Sequence, residues 1–266
     1  MINLTRRLRA LALAIALAPT PGMLFSAEKA RGEARQQVEV VPIPLSMSNV
    51  YLVKGTRGPI LVDSGSTDDL AQLTKNLARA GLRIEDLATV ILTHGHADHA
   101  GLAAEIRRRS GAVIIAGRGD RAMLDAGLNS PVTATGFTGR LILLLPLDPR
   151  FAPLRADVEV DGTLELAAYG LPGRAVQMPG HTPGSLVILL DDGRAFVGDM
   201  ILGGWLGGAL LPHRAGEHYF HMDVAGNRAN IAALAKQAIR TYFLGHGGPV
   251  SGAAVRESFS LDDAAR

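Results

Sequence analysis

The sequence predicts an α/β fold, a single domain of two packed β-sheets with helices on the outer faces. Two strand-rich blocks, residues 38–116 and 158–250, each place helices after their strands, and no linker separates the blocks. A length of 266 residues and a hydrophobic content of 47% are enough for a sizeable core. We therefore expect one domain over residues 28–266.

The first block alternates short apolar runs with segments of helical periodicity. Apolar, β-branched runs bounded by turn residues indicate strands, and apolar residues spaced three or four apart indicate helices. The strands predicted in this way are 38–44, 49–53, 59–62, 88–92 and 111–116. The predicted helices are 68–80, 98–109 and 120–126.

The second block repeats this pattern with shorter strands. Its predicted strands are 158–160, 164–166, 175–176, 186–190, 195–197 and 242–244, and its main predicted helix is 224–239. Between the blocks, the leucine-rich run 141–145 is flanked by prolines and glycines. Two interpretations of this run stay open, a buried strand and a mobile apolar flap.

Residues 1–27 have the features of a secretory signal peptide. Three arginines precede the apolar run 10–18, which is too short to span a bilayer as a mature helix, and two prolines follow it. We expect cleavage near Ala27 and a periplasmic or secreted protein without a stable membrane span. The alternative is an uncleaved amphipathic or membrane-tethering helix.

The charge balance argues against a nucleic-acid partner. The whole chain has a formal charge of +2, but without the three leader arginines 24 basic residues face 25 acidic ones. The dense basic run 107–109 ends a predicted helix, where cations complement the helix dipole. A small-molecule substrate is therefore expected rather than a nucleic acid. The chain also has no cysteine, which excludes disulfides, thiolate ligands and thiol nucleophiles.

Candidate metal ligands recur where predicted strands end. Imidazole and carboxylate suit zinc, and iron to a lesser degree. Closely spaced histidines do not help to build an apolar core, and they repel one another when they are protonated. Five of the eight histidines fall in four glycine-containing segments, which are Thr93–His99, Pro179–Ser185, Val197–Asp199 and Leu244–Gly247.

These segments, in this order and spacing, resemble the metallo-β-lactamase superfamily of metallohydrolases. The resemblance covers essentially all of residues 28–266, including the early Leu-Val-Asp-Ser-Gly at 61–65. It implies an αβ/βα four-layer sandwich, with two mixed β-sheets, helices on the outer faces and the site at one edge of both sheets.

The same resemblance implies a centre of two Zn²⁺ ions. Its residues for the first metal are His94, His96 and His181. Its residues for the second metal are Asp98, His99 and His246. Asp199 would bridge both metals, and Asp98 would act in catalysis by orienting the attacking hydroxide and carrying its proton. Two divalent ions about 3.5–4 Å apart activate water for attack on a carbonyl or phosphoryl centre.

Further residues are candidates for supporting roles. Asp63 resembles an aspartate that hydrogen-bonds a ligating imidazole, and the alternative is a cap for the turn before helix 68–80. Trp205 is either an apolar wall of the pocket mouth or a core anchor. His218 and His221 match no ligand position, so they are candidates for substrate contact at the pocket mouth, or else surface or packing histidines.

The predicted function is hydrolysis of a small ester, thioester or lactone-type substrate by an exported dinuclear zinc enzyme. β-Lactam hydrolysis is an alternative, but true zinc β-lactamases generally lack an aspartate at the Asp199 position. A persulfide dioxygenase would use one iron and oxygen, and the complete second ligand set disfavours it. A purely structural or binding role would leave all the ligand positions without a purpose.

Overall fold

The computed structural model of the protein describes residues 37–261. The predicted signal peptide, residues 1–27, lies outside these residues. The account below concerns the compact unit that begins at Val38. Within the described range, none of the helices is both long enough and apolar enough to cross a bilayer.

The first sheet follows the order of the chain. Its strands are β1 (Val40–Pro44), β2 (Asn49–Gly55), β3 (Gly58–Val62), β4 (Thr89–Ile91), β5 (Val113–Gly117) and β6 (Val158–Val160). Strands β1, β2 and β3 pair antiparallel through tight turns. Strands β3 to β6 pair parallel, which requires crossover connections, and helices supply several of them.

The second sheet is also mixed. In chain order its strands are β7 (Thr163–Glu165), β8 (Gly173–Gln177), β9 (Leu186–Leu190), β10 (Arg194–Gly198), β13 (Thr241–Leu244) and β14 (Val250–Ser251). Strands β10 and β13 are parallel neighbours, whereas the other pairs are antiparallel. A separate hairpin pairs β11 (Leu202–Trp205) with β12 (Leu210–Gly216).

The α-helices lie between these strands and after the last one. They are α1 (Leu70–Arg79), α2 (Ala97–Ala100), α3 (Ala103–Ser110), α4 (Arg121–Ala126), α5 (Phe137–Ile142), α6 (Val224–Ala235) and α7 (Gly252–Ser258). Short 3₁₀ turns occupy Thr67–Asp69, Ile84–Asp86, Arg118–Asp120 and Ala167–Tyr169. The predicted helix 98–109 is thus divided into α2 and α3, and the predicted helix 224–239 ends earlier, at Ala235.

The sheets pack face to face because successive side chains of each strand point to opposite faces. In β2, Tyr51 and Val53 lie in the apolar cluster between the sheets, together with Ile188 and Phe196 of the second sheet. Between Tyr51 and Val53, Leu52 belongs instead to the cluster that includes residues of α1 and α3.

The second sheet alternates in the same manner. Val187 and Leu189 of β9 face away from the first sheet and pack with Ile231 and Leu234 of α6. Apolar clusters therefore lie outside the first sheet, between the sheets and outside the second sheet. The predicted four-layer αβ/βα sandwich is confirmed.

The segment around residues 141–145 is not a buried strand, which was one of its two predicted structures. Leu141 lies in the short helix α5, and the residues after it stay at the surface, where Leu144 is 79% exposed. A short apolar run fits a strand or a helix equally well until its neighbours in space are known. The hairpin of β11 and β12 was not predicted either, because its glycine-rich sequence lacks clear alternation.

Candidate metal centre

The predicted ligands come from loops of both sheets. Thr93–His99 follows β4 of the first sheet, and His181 lies in the turn between β8 and β9. Asp199 and His246 follow β10 and β13, which are parallel neighbours in the second sheet. Because parallel strands present their carboxyl ends at one edge, these loops lie together. The main-chain hydrogen bond from Leu186 N–H to the carbonyl of Thr93 (2.7 Å) ties the two sheets at this edge.

One cluster of buried imidazoles consists of His94, His96 and His181, which we name the first donor group. One ring nitrogen of each lies within 4.8 Å of the others, and His96 Nδ1 is 3.1 Å from His181 Nε2. Burial lowers the pKa of His94 and His181 well below the usual range, and lowers the pKa of His96 to about 4. These imidazoles are therefore neutral, the form that binds metals.

Asp98, His99 and His246 form the second donor group. His246 Nε2 and His99 Nε2 lie 3.3 and 3.5 Å from Asp98 Oδ2. Burial opposes protonation of both imidazoles, but the carboxylates of Asp199 and Asp98 outweigh it. They raise the pKa of His246 to about 10 and that of His99 well above its usual value. Burial raises the pKa of Asp98, and the same two histidines lower it below its ordinary value.

Asp199 lies between the two donor groups. Its Oδ2 is 3.8 Å from His94 Nε2 and 3.7 Å from His181 Nε2 of the first group. The same oxygen is 3.2 Å from His246 Nε2, and Oδ1 is 3.4 Å from His99 Nε2 of the second group. This carboxylate is therefore within reach of ions held by either group.

The donor atoms fit a pair of divalent metal ions. Within residues 37–261, the buried polar atoms without a hydrogen-bond partner include His94 Nε2, His99 Nε2 and Asp199 Oδ1. An unpaired buried polar atom costs about 1–3 kcal/mol, and a bound cation would remove that cost. Imidazole nitrogens with carboxylate oxygens are the donor set that zinc prefers when no thiolate is present.

In most of the predicted histidine ligands Nε2 faces the donor groups, and Nδ1 makes a hydrogen-bond contact with a neighbouring group. Such contacts select the tautomer and orient the ring. They join His94 Nδ1 to Thr93 Oγ1 (3.1 Å), His99 Nδ1 to Asp63 Oδ2 (2.9 Å), His181 Nδ1 to the Phe220 carbonyl (2.8 Å) and His246 Nδ1 to the Met47 carbonyl (2.7 Å).

Asp63 is placed to orient an imidazole rather than to cap a helix. Besides His99 it accepts hydrogen bonds from the Thr93 N–H (2.7 Å) and the Thr93 hydroxyl (2.8 Å). At the start of the following helical segment it is Asp69 that accepts from the Ser66 N–H (3.0 Å). The residue that caps this helical segment is thus Asp69, and not Asp63.

Asp120 is a buried carboxylate that the sequence analysis missed. Its Oδ2 accepts from the Gly95 N–H (2.8 Å) and the Thr182 hydroxyl (2.7 Å), and its Oδ1 accepts from the Gly184 N–H (2.8 Å). It thereby joins the loop of His94 to the loop of His181. In the sequence Asp120 resembles an ordinary residue at a helix start, and no local signal shows its distant partners.

The three candidates for substrate contact lie in different environments. Trp205 is 57% exposed and lines a cleft of about 410 Å³, so it is not a core anchor. His221 is buried, and its Nε2 lies 3.1 Å from Asn227 Nδ2. His218 is buried as well, but its Nε2 lies 3.2 Å from Asp199 Oδ2, against the donor groups.

Sequence and structure comparisons identify the family of this chain. The family model described as the metallo-beta-lactamase superfamily matches residues 43–246. The chain belongs to the metallo-β-lactamase superfamily. A similar solved fold is that of BJP-1, a subclass B3 metallo-β-lactamase of Bradyrhizobium japonicum, with a TM-score of 0.57 and 21% identity over 87% of this chain and 90% of that one.

Two curated relatives of this superfamily protein are named as hydrolases. Hydroxyacylglutathione hydrolase of Anaeromyxobacter dehalogenans (strain 2CP-C) is 32% identical over 157 residues, which is 59% of this chain and 46% of that enzyme. Hydroxyacylglutathione hydrolase GloC of Haemophilus influenzae is 24% identical over 177 residues, 66% of this chain and 76% of that enzyme. The matched stretch therefore spans about half the length of the first relative.

Proposed function

We propose that this protein is an exported dinuclear zinc hydrolase that cleaves a small ester, thioester or lactone-type substrate. The observation that carries the proposal is the convergence of two donor groups on Asp199, with buried donor atoms that lack other partners. Two bound divalent ions supply a water nucleophile of low pKa and polarise the substrate oxygen. The names of the curated relatives support the hydrolytic reaction class.

The donor residues differ in how much of each side chain is exposed to solvent. Asp98 has 26% of its side chain exposed, whereas the side chains of His99 and Asp199 are almost fully buried. Asp98 therefore faces the open side of the centre, where it can orient the attacking water and accept its proton. Asp63 holds His99 in one tautomer, and Asp120 holds the loops of the first donor group in register.

The test is the metal content of the purified protein, measured by elemental mass spectrometry. About two zinc ions per chain, followed by turnover in a panel of esters, thioesters, lactones and β-lactams, is the expected result. One iron with little zinc would contradict the proposal and point to a persulfide dioxygenase. No metal after reconstitution would show that the donor groups are wrongly assigned.

The cleft beside Trp205 supports a substrate with an apolar acyl group. Besides Trp205 it is lined by Leu206, Leu210 and Tyr219. The hairpin that carries Trp205 is joined to the metal centre, because the Gly203 N–H donates to the carbonyl of His246 (2.9 Å). An apolar group in this cleft would thus lie along the hairpin that is hydrogen-bonded to the loop of His246.

A series of esters that differ only in acyl length tests this assignment. Trp205→Ala should raise KM for long-chain esters by about tenfold or more and leave acetyl esters nearly unchanged, because a long acyl chain packed against this indole would remove apolar surface from water at about 25 cal/mol per Å². Phe137→Ala is the matched control, since Phe137 is 75% exposed and does not line the cleft. An equal effect on all chain lengths would refute the assignment.

Export is proposed from residues 1–27 alone. N-terminal sequencing of the protein from a periplasmic extract should find a new terminus close to Ala27. Deletion of residues 2–27 should keep the protein in the cytoplasm. An intact N-terminus in the membrane fraction would instead support the tethering helix.

A further inference from the structure

We propose that His218 is an additional metal-ligating residue of this centre, binding through Nε2. The proposal rests on the proposed dinuclear centre and adds a donor that the superfamily motifs in this sequence do not contain. His181, Asp199 and His218 each offer a donor atom, and these atoms lie within 4.8 Å of one another. His218 is buried, and its Nε2 is 3.2 Å from Asp199 Oδ2, the same distance as His246 Nε2.

The orientation of His218 repeats that of the predicted histidine ligands. In His181 and His246, Nδ1 meets a backbone carbonyl and Nε2 faces Asp199. In His218, Nδ1 lies 3.2 Å from the carbonyl of Phe220, and Nε2 faces Asp199. The Phe220 carbonyl has two lone pairs, so it can accept from both His181 and His218. This arrangement leaves the Nε2 lone pair of His218 directed at the centre.

The ring of His218 lies between the two donor groups. It stacks on His246 with ring centroids 5.5 Å apart and meets His181 edge-on at 4.9 Å. Its backbone is held as well, because the Thr135 hydroxyl donates to the His218 carbonyl (2.7 Å). His221, three residues on, differs because the Asn227 amide (3.1 Å) occupies its Nε2. Two histidines of the same segment thus point to different partners, and of these two only the Nε2 of His218 faces Asp199.

The other tautomer of His218, with its proton on Nε2, would give this residue a different role. The Phe220 N–H lies 3.3 Å from His218 Nδ1, and if Nδ1 accepts that hydrogen bond then Nε2–H donates to Asp199. His218 would then only position the carboxylate. The two roles differ in the state of Nε2, which carries no proton in a metal ligand and stays protonated in a residue that only positions Asp199.

The experiment uses the full-length protein, stripped of metal and titrated with Co²⁺ in competition with a chromophoric chelator. His218→Ala should weaken the binding of one of the two ions by about tenfold or more and alter the visible Co²⁺ spectrum, and added imidazole should restore the spectrum. His221→Gln, a change at a buried neighbouring histidine, should leave the affinity within about threefold of wild type.

An unchanged spectrum and affinity in His218→Ala would overturn the proposal, even if turnover falls. Failure of the wild-type protein to bind two ions would instead overturn the proposed function, so the two failures are distinguishable. If His218→Ala does not fold, ¹⁵N-histidine NMR of the wild-type protein decides the question. Zn²⁺ should move the Nε2 resonance of His218 to the region of metal-bound nitrogen, and a resonance that stays protonated would refute ligation.

Discussion

Replacement of Asp120 by alanine is expected to destabilise the two histidine loops together. The carboxylate accepts hydrogen bonds from Gly95, Thr182 and Gly184, and all of these bonds are buried. Each donor left unpaired costs about 1–3 kcal/mol. Burial raises the pKa of Asp120, which shows that the ionised form is itself disfavoured there, so removal of the carboxylate returns part of that cost. We expect a net loss of about 2–4 kcal/mol of unfolding free energy.

The assay is guanidinium unfolding of the metal-free protein, followed by far-UV circular dichroism. Asp120→Asn keeps one acceptor oxygen and should lose about half as much stability as Asp120→Ala. Asp148→Ala is the control, because Asp148 has 60% of its side chain exposed and pairs with Arg150 at the surface. A surface pair of this kind contributes little to stability, because solvent screens the two charges. If Asp120→Ala unfolds with the same free energy as Asp148→Ala, the proposed link between the loops is wrong.

Two further predictions concern metal loading. Gly245→Ala places a Cβ 2.1 Å from Asp199 Oδ1 and 2.6 Å from His99 Cε1, so the variant should lose about one metal ion per chain, whereas Gly136→Ala, with no atom within 4 Å of its new Cβ, should keep both. The raised pKa values of His246 (about 10) and His99 mean that metal binding to the second donor group displaces protons. During dialysis from pH 8 to pH 5, the second donor group should therefore lose its ion first, while the neutral first donor group keeps its ion. Simultaneous loss of both ions would contradict these charges.

Local features of the sequence predicted the strands and the segments that carry the candidate donors, whereas the family resemblance implied the four-layer fold and the division of the donors between two metals. In each donor segment a histidine or aspartate follows within four residues of the end of a strand, so the pattern that defines the strand also indicates where the candidate donors lie. The role of Asp63 was an implication of the resemblance as well, and the residue follows β3 as Thr93–His99 follows β4. Parallel pairing of β3 and β4 then brings these two strand ends together.

Surface apolar segments were harder to predict. The run Leu186–Leu190 and the leucines at 141–145 are both short and apolar, yet the first run is buried and Leu144 is 79% exposed. The difference is that β9 has neighbouring strands on both sides, whereas the other run has no neighbouring strand to pair with among the described residues. The exposure of these leucines is thus a result of topology.

The sequence by itself determined which candidate donors exist, their order along the chain and the strands that carry them. The tertiary structure alone decided which other residues join the centre. Asp120 reaches partners 25, 62 and 64 residues away, and His218 meets Asp199 only because the chain returns to this edge after the β11–β12 hairpin. Such contacts depend on how the edges of two packed sheets meet, and a short window of sequence does not contain that information.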